Sequence, residues 1–403
     1  MAIAWRYGVS ATSDAYLFVL NLANWPVSVW FSVLTVMLVP LVAQIRQDKP
    51  EELPRFRGEL LGLTLIVGLG LGILSVFGLP LLLQADWLSL SDKVLVIALD
   101  MATPFSLLVP MGFLISLLSA WMLSSGDHRN TFLEAVPALV IIVALLLPQN
   151  LLPEPLIWGT VAGFALHLAA LAGPLQRQGE LRGPQFAFAS PAWAGFWGSI
   201  GIMSIGQVLM SLTGIIDQFF VTGLGPGALS TLSYANRVLT LILGIGAVGI
   251  TRAILPVLAK VSVQKGSDVD QLALSWAKWV FVGGIIAAVI GWLGSGLVVS
   301  VLFERGEFKE QNTADVATVL RYSMLQIPFF MFSVTLANLM ASKKNYRILF
   351  FSSINALTLK IVSAAVLIPS LGMLGLVMST TIMYLGNSIL FLYILKKFSN
   401  RTF

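Results

Sequence analysis

Thr222 to Ser262 reads TGLGPGALSTLSYANRVLTLILGIGAVGITRAILPVLAKVS. A Gly/Pro turn, Gly223 to Gly227, opens it. A long apolar run follows, interrupted only by Arg237 and Arg252, and it closes on Leu255-Pro256 before a basic exit at Lys260 and Lys265. The stretch between Tyr7 and Ile45 has the same plan. Val39-Pro40-Leu41-Val42-Ala43 answers Leu255-Pro256-Val257-Leu258-Ala259 at a spacing of 216 residues. Two copies of one apolar unit are therefore expected, and function is to be sought from how the two are used.

Composition sets the class. Hydrophobic residues make up 57% of the 403 and charged residues 11%, with a mean hydropathy of +0.89. Soluble domains carry roughly a quarter charged residues. Apolar runs long enough to cross a bilayer recur along the chain, which predicts an all-α polytopic membrane protein. Such runs must satisfy their backbone groups internally, which favours helices over barrel strands. The chain has no cysteine and two histidines, so disulfides, thiol chemistry and cysteine-held metal are excluded and no metal site is expected. There is no Walker-type phosphate loop, HExxH pair or nucleophile–histidine–acid set, so ATP-driven transport and enzymatic chemistry are not indicated and no cofactor is expected. The net charge of +5 reflects basic loops and carries no nucleic-acid signal.

Spans are expected at about 15–45 (kinked or broken near Pro26), 58–83, 94–123, 129–149 and 156–175, then at 193–222, 228–259, 271–303, 314–341, 344–368 and 373–395. Residues 1–8 are too short to cross. The stretch 176–192 is the least hydrophobic and reads as a linker, giving an N-terminal lobe over 1–180 with about five full spans and a C-terminal lobe over 181–403 with six. Alternate loops hold Arg46, Lys49, Arg55, Arg57, Arg129, Arg177, Arg182, Lys260, Lys265, Lys343, Lys344, Arg347, Lys396, Lys397 and Arg401, whereas the opposite loops hold only Lys93, Arg305 and Lys309. The basic side is expected to be cytoplasmic, C-terminus included. No cleavable signal pattern is visible.

The repeat extends further. Gly68 meets Gly284 and Gly78 meets Gly294 at 216; Pro110 meets Pro328, Ser124 meets Ser342 and Arg129 meets Arg347 at 218. Corresponding points are basic on the same side, so the repeats run parallel about an axis along the membrane normal. By this register the partner of 193–222 falls at about −23 to 6. The expectation is a twelve-helix core in which the first helix is missing.

Several elements resemble those of one family. Leu302-Phe303-Glu304-Arg305-Gly306-Glu307-Phe308 resembles the LFERGxF signature of the MurJ/MviN family. Ile368-Pro369-x-x-Gly372-x-x-Gly375-Leu376 is similar to its turn between the eleventh and twelfth helices. Ser13-Asp14-Ala15-Tyr16 resembles TDAF, Tyr234-Ala235-Asn236-Arg237 resembles YADR, and Leu255-Pro256-x-Leu258-Ala259 resembles LPxLS. The resemblance implies membership of the multidrug/oligosaccharidyl-lipid/polysaccharide exporter superfamily and flipping of lipid-linked cell-wall precursors, chiefly lipid II. The chain departs at Asn21-Leu22-Ala23-Asn24-Trp25-Pro26, where the family usually has an arginine pair.

A charge in mid-bilayer costs about 2.5 kcal/mol or more on insertion scales, so each one present needs a reason. The candidates are Asp14, Asp100, Asp217, Arg237, Arg252, Arg321 and Lys360. Arginine suits a diphosphate, since its planar fork stays charged and can hold two oxygens at once. Arg237, Arg252, Arg321 and Lys360 are thus candidate substrate-binding cations. Arg237 leads because it matches the arginine of YADR; the alternative is a structural pair, for instance with Asp217. Arg252 sits near a helix end, where it could snorkel. Lys360 could equally partner Asp100. Asp14, Asp100 and Asp217 are candidates for gating or ion pairs, with Asp14 alternatively a helix cap. His167 reads as a core residue.

The expected function is alternating-access flipping of a lipid II-like undecaprenyl-diphosphate sugar from the cytoplasmic to the outer leaflet of the bacterial inner membrane. The expected partners are the lipid-linked oligosaccharide diphosphate, membrane lipids and proteins of cell-wall or polysaccharide synthesis. Alternatives are an exopolysaccharide or O-antigen repeat-unit flippase, a cation-coupled drug exporter, or a transport-dead scaffold of a polysaccharide synthesis complex.

Overall fold

The computed structural model describes every residue except 128, 149, 264–267, 344 and 400–403, and additionally leaves out the side chains of 36, 39, 198–204, 207, 251, 253–263, 268–269 and 398–399. Lys265, Lys344 and Arg401 therefore lie outside the described residues, as do the side chains of Lys260 and of the Leu255–Ala259 element. Among the described residues there are helices and connecting turns, with no strand. In chain order the α-helices are α1 Ala2–Tyr7, α2 Ala11–Asp48, α3 Leu53–Leu83, α4 Asp92–Ser106, α5 Leu108–Ser124, α6 Asn130–Leu133, α7 Val136–Leu146, α8 Pro155–Arg177, α9 Ala192–Thr222, α10 Ala228–Val263, α11 Asp268–Phe303, α12 Glu310–Met324, α13 Ile327–Ser342, α14 Tyr346–Leu371 and α15 Met373–Ser399.

Seven of these helices are long and apolar enough to cross a membrane. Two further spans are bent pairs, α4 with α5 at 47° and α12 with α13 at 44°, and two shorter apolar segments, Asn130–Leu146 and Val208–Thr222, fall where the other expected spans lie. Two details differ from the sequence reading. Helix α2 continues unbroken through Pro26 and Pro40. The span expected at 129–149 is instead divided into α6 and α7, with Pro137 at the start of α7, where its missing N–H costs nothing.

The breaks in the bent pairs fall at Leu107 and at Leu325–Gln326, positions that correspond at the 218-residue spacing. The packing beside each break corresponds too. A Cβ on Gly68 would lie 3.4 Å from Pro110 Cα, and one on Gly284 would lie 2.7 Å from Pro328 Cα. In each copy the glycine faces the proline that follows a break; the approach is too close for a Cβ at Gly284, whereas at Gly68 the tighter neighbour is Phe113 Cβ at 3.1 Å.

The chain divides into two compact units, one formed by residues 3–13 with 208–403 and the other by residues 14–207. In the second unit, α3 packs on α4 and α5, and α7 on α8. Its core runs through Leu34, Leu38, Phe56, Leu60, Leu117, Trp121 and Phe196. Residues 180–190 carry no regular structure, yet they are tightly placed. Gln185 N–H donates to Gly58 O at 2.9 Å, and a Cβ at Gly62 would meet Gln185 O. The Glu59 carboxylate, 0% exposed, accepts the backbone N–H groups of Ala189 and Ser190 at 3.0 Å each, Trp193 Nε1–H at 2.6 Å and Arg55 Nε–H at 3.0 Å. A buried carboxylate persists only when its lone pairs are filled. Here they are filled by the start of α9 and the strap before it.

In the first unit, α10 packs on α12 and α13, α11 on α12 and α13, and α14 on α15. The hairpin between the last two turns at Gly372, whose φ of 55° is a conformation few side chains adopt. Gly375 then approaches so closely that a Cβ would collide with Leu367 O. These two contacts give the Ile368-to-Leu376 motif its physical reason. The turn between α11 and α12 has one as well. Phe303 and Phe308 pack against Tyr234, with ring centroids 5.3 and 5.6 Å away. Glu307 N–H donates to Trp5 O at 2.9 Å, and Gly306, at φ 64°, leaves no room for a Cβ beside Trp5. Tyr234 O–H donates to Gly8 O at 3.1 Å, so the start of the chain, the LFERGEF turn and the YANR element form one packed cluster.

Candidate functional site

Two kinds of intramembrane charge are separated by their surroundings. The first is a closed pair. Asp217 stands in the last turns of α9 and Lys360 in the middle of α14. Lys360 Nζ lies 2.6 Å from Asp217 Oδ1, where side-chain exposure is 1% for the lysine and 18% for the aspartate. The approach is a charge contact more than an aligned hydrogen bond. The ammonium also donates to the carbonyl of Leu376 at 3.3 Å and to the Thr380 hydroxyl, both on α15. An ammonium has three donors, and three acceptors surround this one. Lys360 is therefore enclosed and spoken for, which removes the reason to read it as a free cavity cation. The carboxylate it takes is Asp217, and the cation Asp217 takes is Lys360.

Beside this pair is a cavity of about 60 Å³ walled by Asp217, Asn236, Ser323, Gln326 and Thr380, with Leu232, Leu239, Leu376 and Val377 completing the lining. Asn236, Ser323, Gln326 and Thr380 were not singled out from sequence. The available signals were slight: Asn236 replaces the acid of YADR, and Gln326 sits in the break between α12 and α13. The cavity is polar and roomy enough for water.

The second kind is exposed and unneutralised. Arg237 and Arg252 on α10 and Arg321 on α12 are all exposed. Among the described residues no carboxylate lies within 4 Å of any of them. Arg321 is oriented by a bond from its Nε–H to Ser295 Oγ at 2.9 Å. Arg237 and Arg252 are fifteen residues apart on one helix, about 22 Å along its axis, so they cannot grip the same phosphate together.

In the second unit, Asp100 is exposed on α4 with no basic side chain within 4 Å among the described residues. Asp14 is buried in the first turn of α2, where the helix dipole favours a negative charge. It is not the cap: Ser10 Oγ accepts Ser13 N–H at 3.3 Å, which makes Ser10 the capping residue. His167 is buried on α8, as a core histidine is expected to be. No group of three or more acidic or histidine side chains placed to hold a metal occurs among the described residues.

A third charged cluster gathers the end of α2, the start of α3 and the loops at 125–129 and 178–182. Glu180 pairs with Arg57 at 2.7 Å and Arg46 at 3.3 Å and accepts from Ser125 Oγ at 2.7 Å. Burial works to raise the Glu180 carboxyl, but the Ser125 hydrogen bond and the Arg57 and Arg46 charges hold it below the usual range. Nearby, the Arg129 hydrogen bonds keep the Asp127 carboxyl well below its ordinary value. These are anchoring pairs.

Comparison with known proteins sets this geometry in a family. A probable lipid II flippase MurJ of Bdellovibrio bacteriovorus is 26% identical over 253 residues, covering 61% of this chain and 47% of that protein. One from Buchnera aphidicola is 23% identical over 353 residues, covering 84% of this chain and 68% of that protein. The chain thus spans about half to two thirds of these relatives' length. A solved structure titled lipid II flippase MurJ, inward closed conformation, superposes with a TM-score of 0.83 at 19% identity, covering 98% of this chain and 83% of that one, a likeness of fold. A family model described as lipid II flippase MurJ matches residues 3–402, and the chain therefore belongs to the MurJ family of multi-pass bacterial inner-membrane proteins.

Proposed function

We propose that this protein is a transporter that flips a lipid-linked cell-wall precursor, a lipid II-like undecaprenyl-diphosphate sugar, from the cytoplasmic to the outer leaflet by alternating access. One observation supports this most: three membrane-helix arginines stand exposed with no carboxylate within 4 Å among the described residues. An unneutralised guanidinium within a span is costly, and a diphosphate is the anion its fork suits best. Arg237 is the leading contact. Arg252, about 22 Å further along α10, would serve a different position of the head group along its path, and Arg321, steadied by Ser295, a third. Lys360 is left out of this set because its charge is paired with Asp217 and it donates to Leu376 O and the Thr380 hydroxyl.

The test is rescue of a bacterium depleted of its own lipid II flippase, using the wild-type chain and Arg237→Ala, Arg252→Ala and Arg321→Ala at matched membrane levels. Rescue by wild type and at least a tenfold loss of plating efficiency with Arg237→Ala is the expected result. Full rescue by all three variants would remove the arginines from the mechanism. A well-inserted wild type that fails to rescue would point to another lipid-linked glycan.

A further inference from the structure

The surroundings of Lys360 resemble those of a bound ion more than those of an ordinary salt bridge. Its ammonium is met by a carboxylate oxygen of Asp217, the main-chain carbonyl of Leu376 and the hydroxyl of Thr380. Carboxylate, carbonyl and hydroxyl oxygens are the ligand set of a hard cation. Three more oxygen-bearing side chains, Asn236, Ser323 and Gln326, line the adjoining cavity of about 60 Å³ with Asp217 and Thr380, so the cage opens onto space that water or an ion can occupy. Tyr384 stands within electrostatic reach of Asp217, and Lys360 supplies the positive charge that pairs with this carboxylate. The helix that carries Lys360 delivers it from the side: α14 packs against α15, which bears Leu376 and Thr380, and the four-carbon stem spans the gap. The lysine side chain is 1% exposed.

We propose that Lys360 is a built-in cation. Its ammonium fills an oxygen cage suited to a monovalent ion such as Na⁺, and it makes this site independent of dissolved cations. The inference stands on the cage itself and does not depend on which lipid is carried. Removing the lysine charge leaves Asp217 uncompensated inside a membrane-embedded unit, a cost relieved by protonation of the carboxylate or by uptake of a replacement cation, and the oxygen cage favours the cation. A ligand that binds only the folded state raises its stability in proportion to the logarithm of concentration over Kd, so the replacement has a thermal signature.

The experiment uses the full chain in detergent: wild type, Lys360→Ala, Asp217→Asn and the double variant Lys360→Ala/Asp217→Asn. Each is examined in NaCl and in N-methylglucamine chloride at equal ionic strength, by ²²Na⁺ binding and by thermal unfolding. The wild type is expected to bind no saturable ²²Na⁺ and to have the same Tm in both salts. Lys360→Ala is expected to gain saturable ²²Na⁺ binding and a Tm higher by about 5 °C in NaCl, or to be recovered folded only in NaCl. The double variant is expected to lose both responses. Saturable ²²Na⁺ binding to wild type that Asp217→Asn abolishes would overturn the proposal, because the lysine would not then be holding the cage. So would a folded Lys360→Ala indifferent to Na⁺, or one that aggregates in both salts while the double variant folds, since Na⁺ would then have failed to supply the missing charge.

Discussion

Glu59 offers the sharpest test of how the strap at 180–190 is held. Its Oε2 accepts from Ser190 N–H and from Trp193 Nε1–H, while Oε1 accepts from Ala189 N–H and Arg55 Nε–H. The two sets differ in worth. Ser190 and Trp193 are buried, whereas Ala189 and Arg55 are exposed and can turn to water. Glu59→Ala leaves two buried donors without an acceptor, and hydrogen bonds to a charged group contribute about 1.5–3 kcal/mol each. The loss is then about 3–5 kcal/mol, with little added by the exposed pair. Glu59→Gln can keep its amide oxygen at the Oε2 position and set its NH₂ toward the exposed donors, so it should cost only about 1 kcal/mol. A loss of 3–5 kcal/mol corresponds to a Tm lower by roughly 10 °C for a unit of this size. The strap contains one trypsin site, Arg182-Gly183. Limited trypsin digestion in detergent should cut there at least tenfold faster in Glu59→Ala than in wild type, with Glu59→Gln close to wild type. Cleavage of Glu59→Ala at the wild-type rate, with its Tm unchanged, would refute the idea that this carboxylate fixes the strap.

Further outcomes follow from single contacts. Gly284→Ala forces a Cβ to 2.7 Å from the Pro328 backbone and should lower Tm in line with an overpacking cost of about 1–3 kcal/mol. Gly294→Ala, with nothing within 4 Å, should leave Tm unchanged or raise it slightly through the better helix propensity of alanine. Tyr234→Phe should cost about 1 kcal/mol by removing the hydroxyl bond to Gly8 O, read as a small Tm drop with transport retained. Glu180 has a depressed folded-state pKa, so its contribution is complete above the ordinary carboxyl range and is lost as pH falls through the folded value. Glu180→Gln should accordingly lower Tm near neutrality and flatten its decline on acidification, as measured by Tm between about pH 7 and pH 3.

The sequence made some of this plain. Long apolar runs separated by basic loops marked the segments, because a bilayer leaves few alternatives. The Gly and Pro spacings marked the repeat, but 94–123 and 314–341 read as single spans, and where each one breaks emerged only in the structure. What stayed hidden depends on contacts distant in the chain. Lys360 and Asp217 are 143 positions apart, and neither advertises its partner, so the lysine read as a cavity cation or as a partner of Asp100. Glu59 lay among Arg55, Arg57 and a polar loop, where an acid reads as a solvated neighbour. Only the path of residues 185–193 over α3 shows it to be buried. Ser10 was overlooked as a cap because Ser13-Asp14 offered a more familiar pattern one turn later.

Burial sorts the intramembrane charges better than their residue type does. Each of the four candidate cations carries the same unit charge, and from sequence Arg237 led while Arg252, Arg321 and Lys360 stood behind it as further candidates. Lys360 has three donors and three acceptors, so an incoming phosphate would have to displace the Asp217 carboxylate before it gained anything. Such an exchange of one buried anion for another yields little net attraction. Among the described residues Arg237, Arg252 and Arg321 have no carboxylate to displace. Their guanidinia retain open donors, and a phosphate reaching any of them gains charge-assisted hydrogen bonds without breaking an ion pair. The distinction also bears on selectivity. A transporter whose acidic site is filled by its own lysine has no vacant carboxylate with which to recruit a cationic drug at that site, whereas unneutralised arginines reward an anion. On this reasoning the charge pattern of the first unit favours an anionic cargo, and the enclosed Lys360–Asp217 pair is part of why it does.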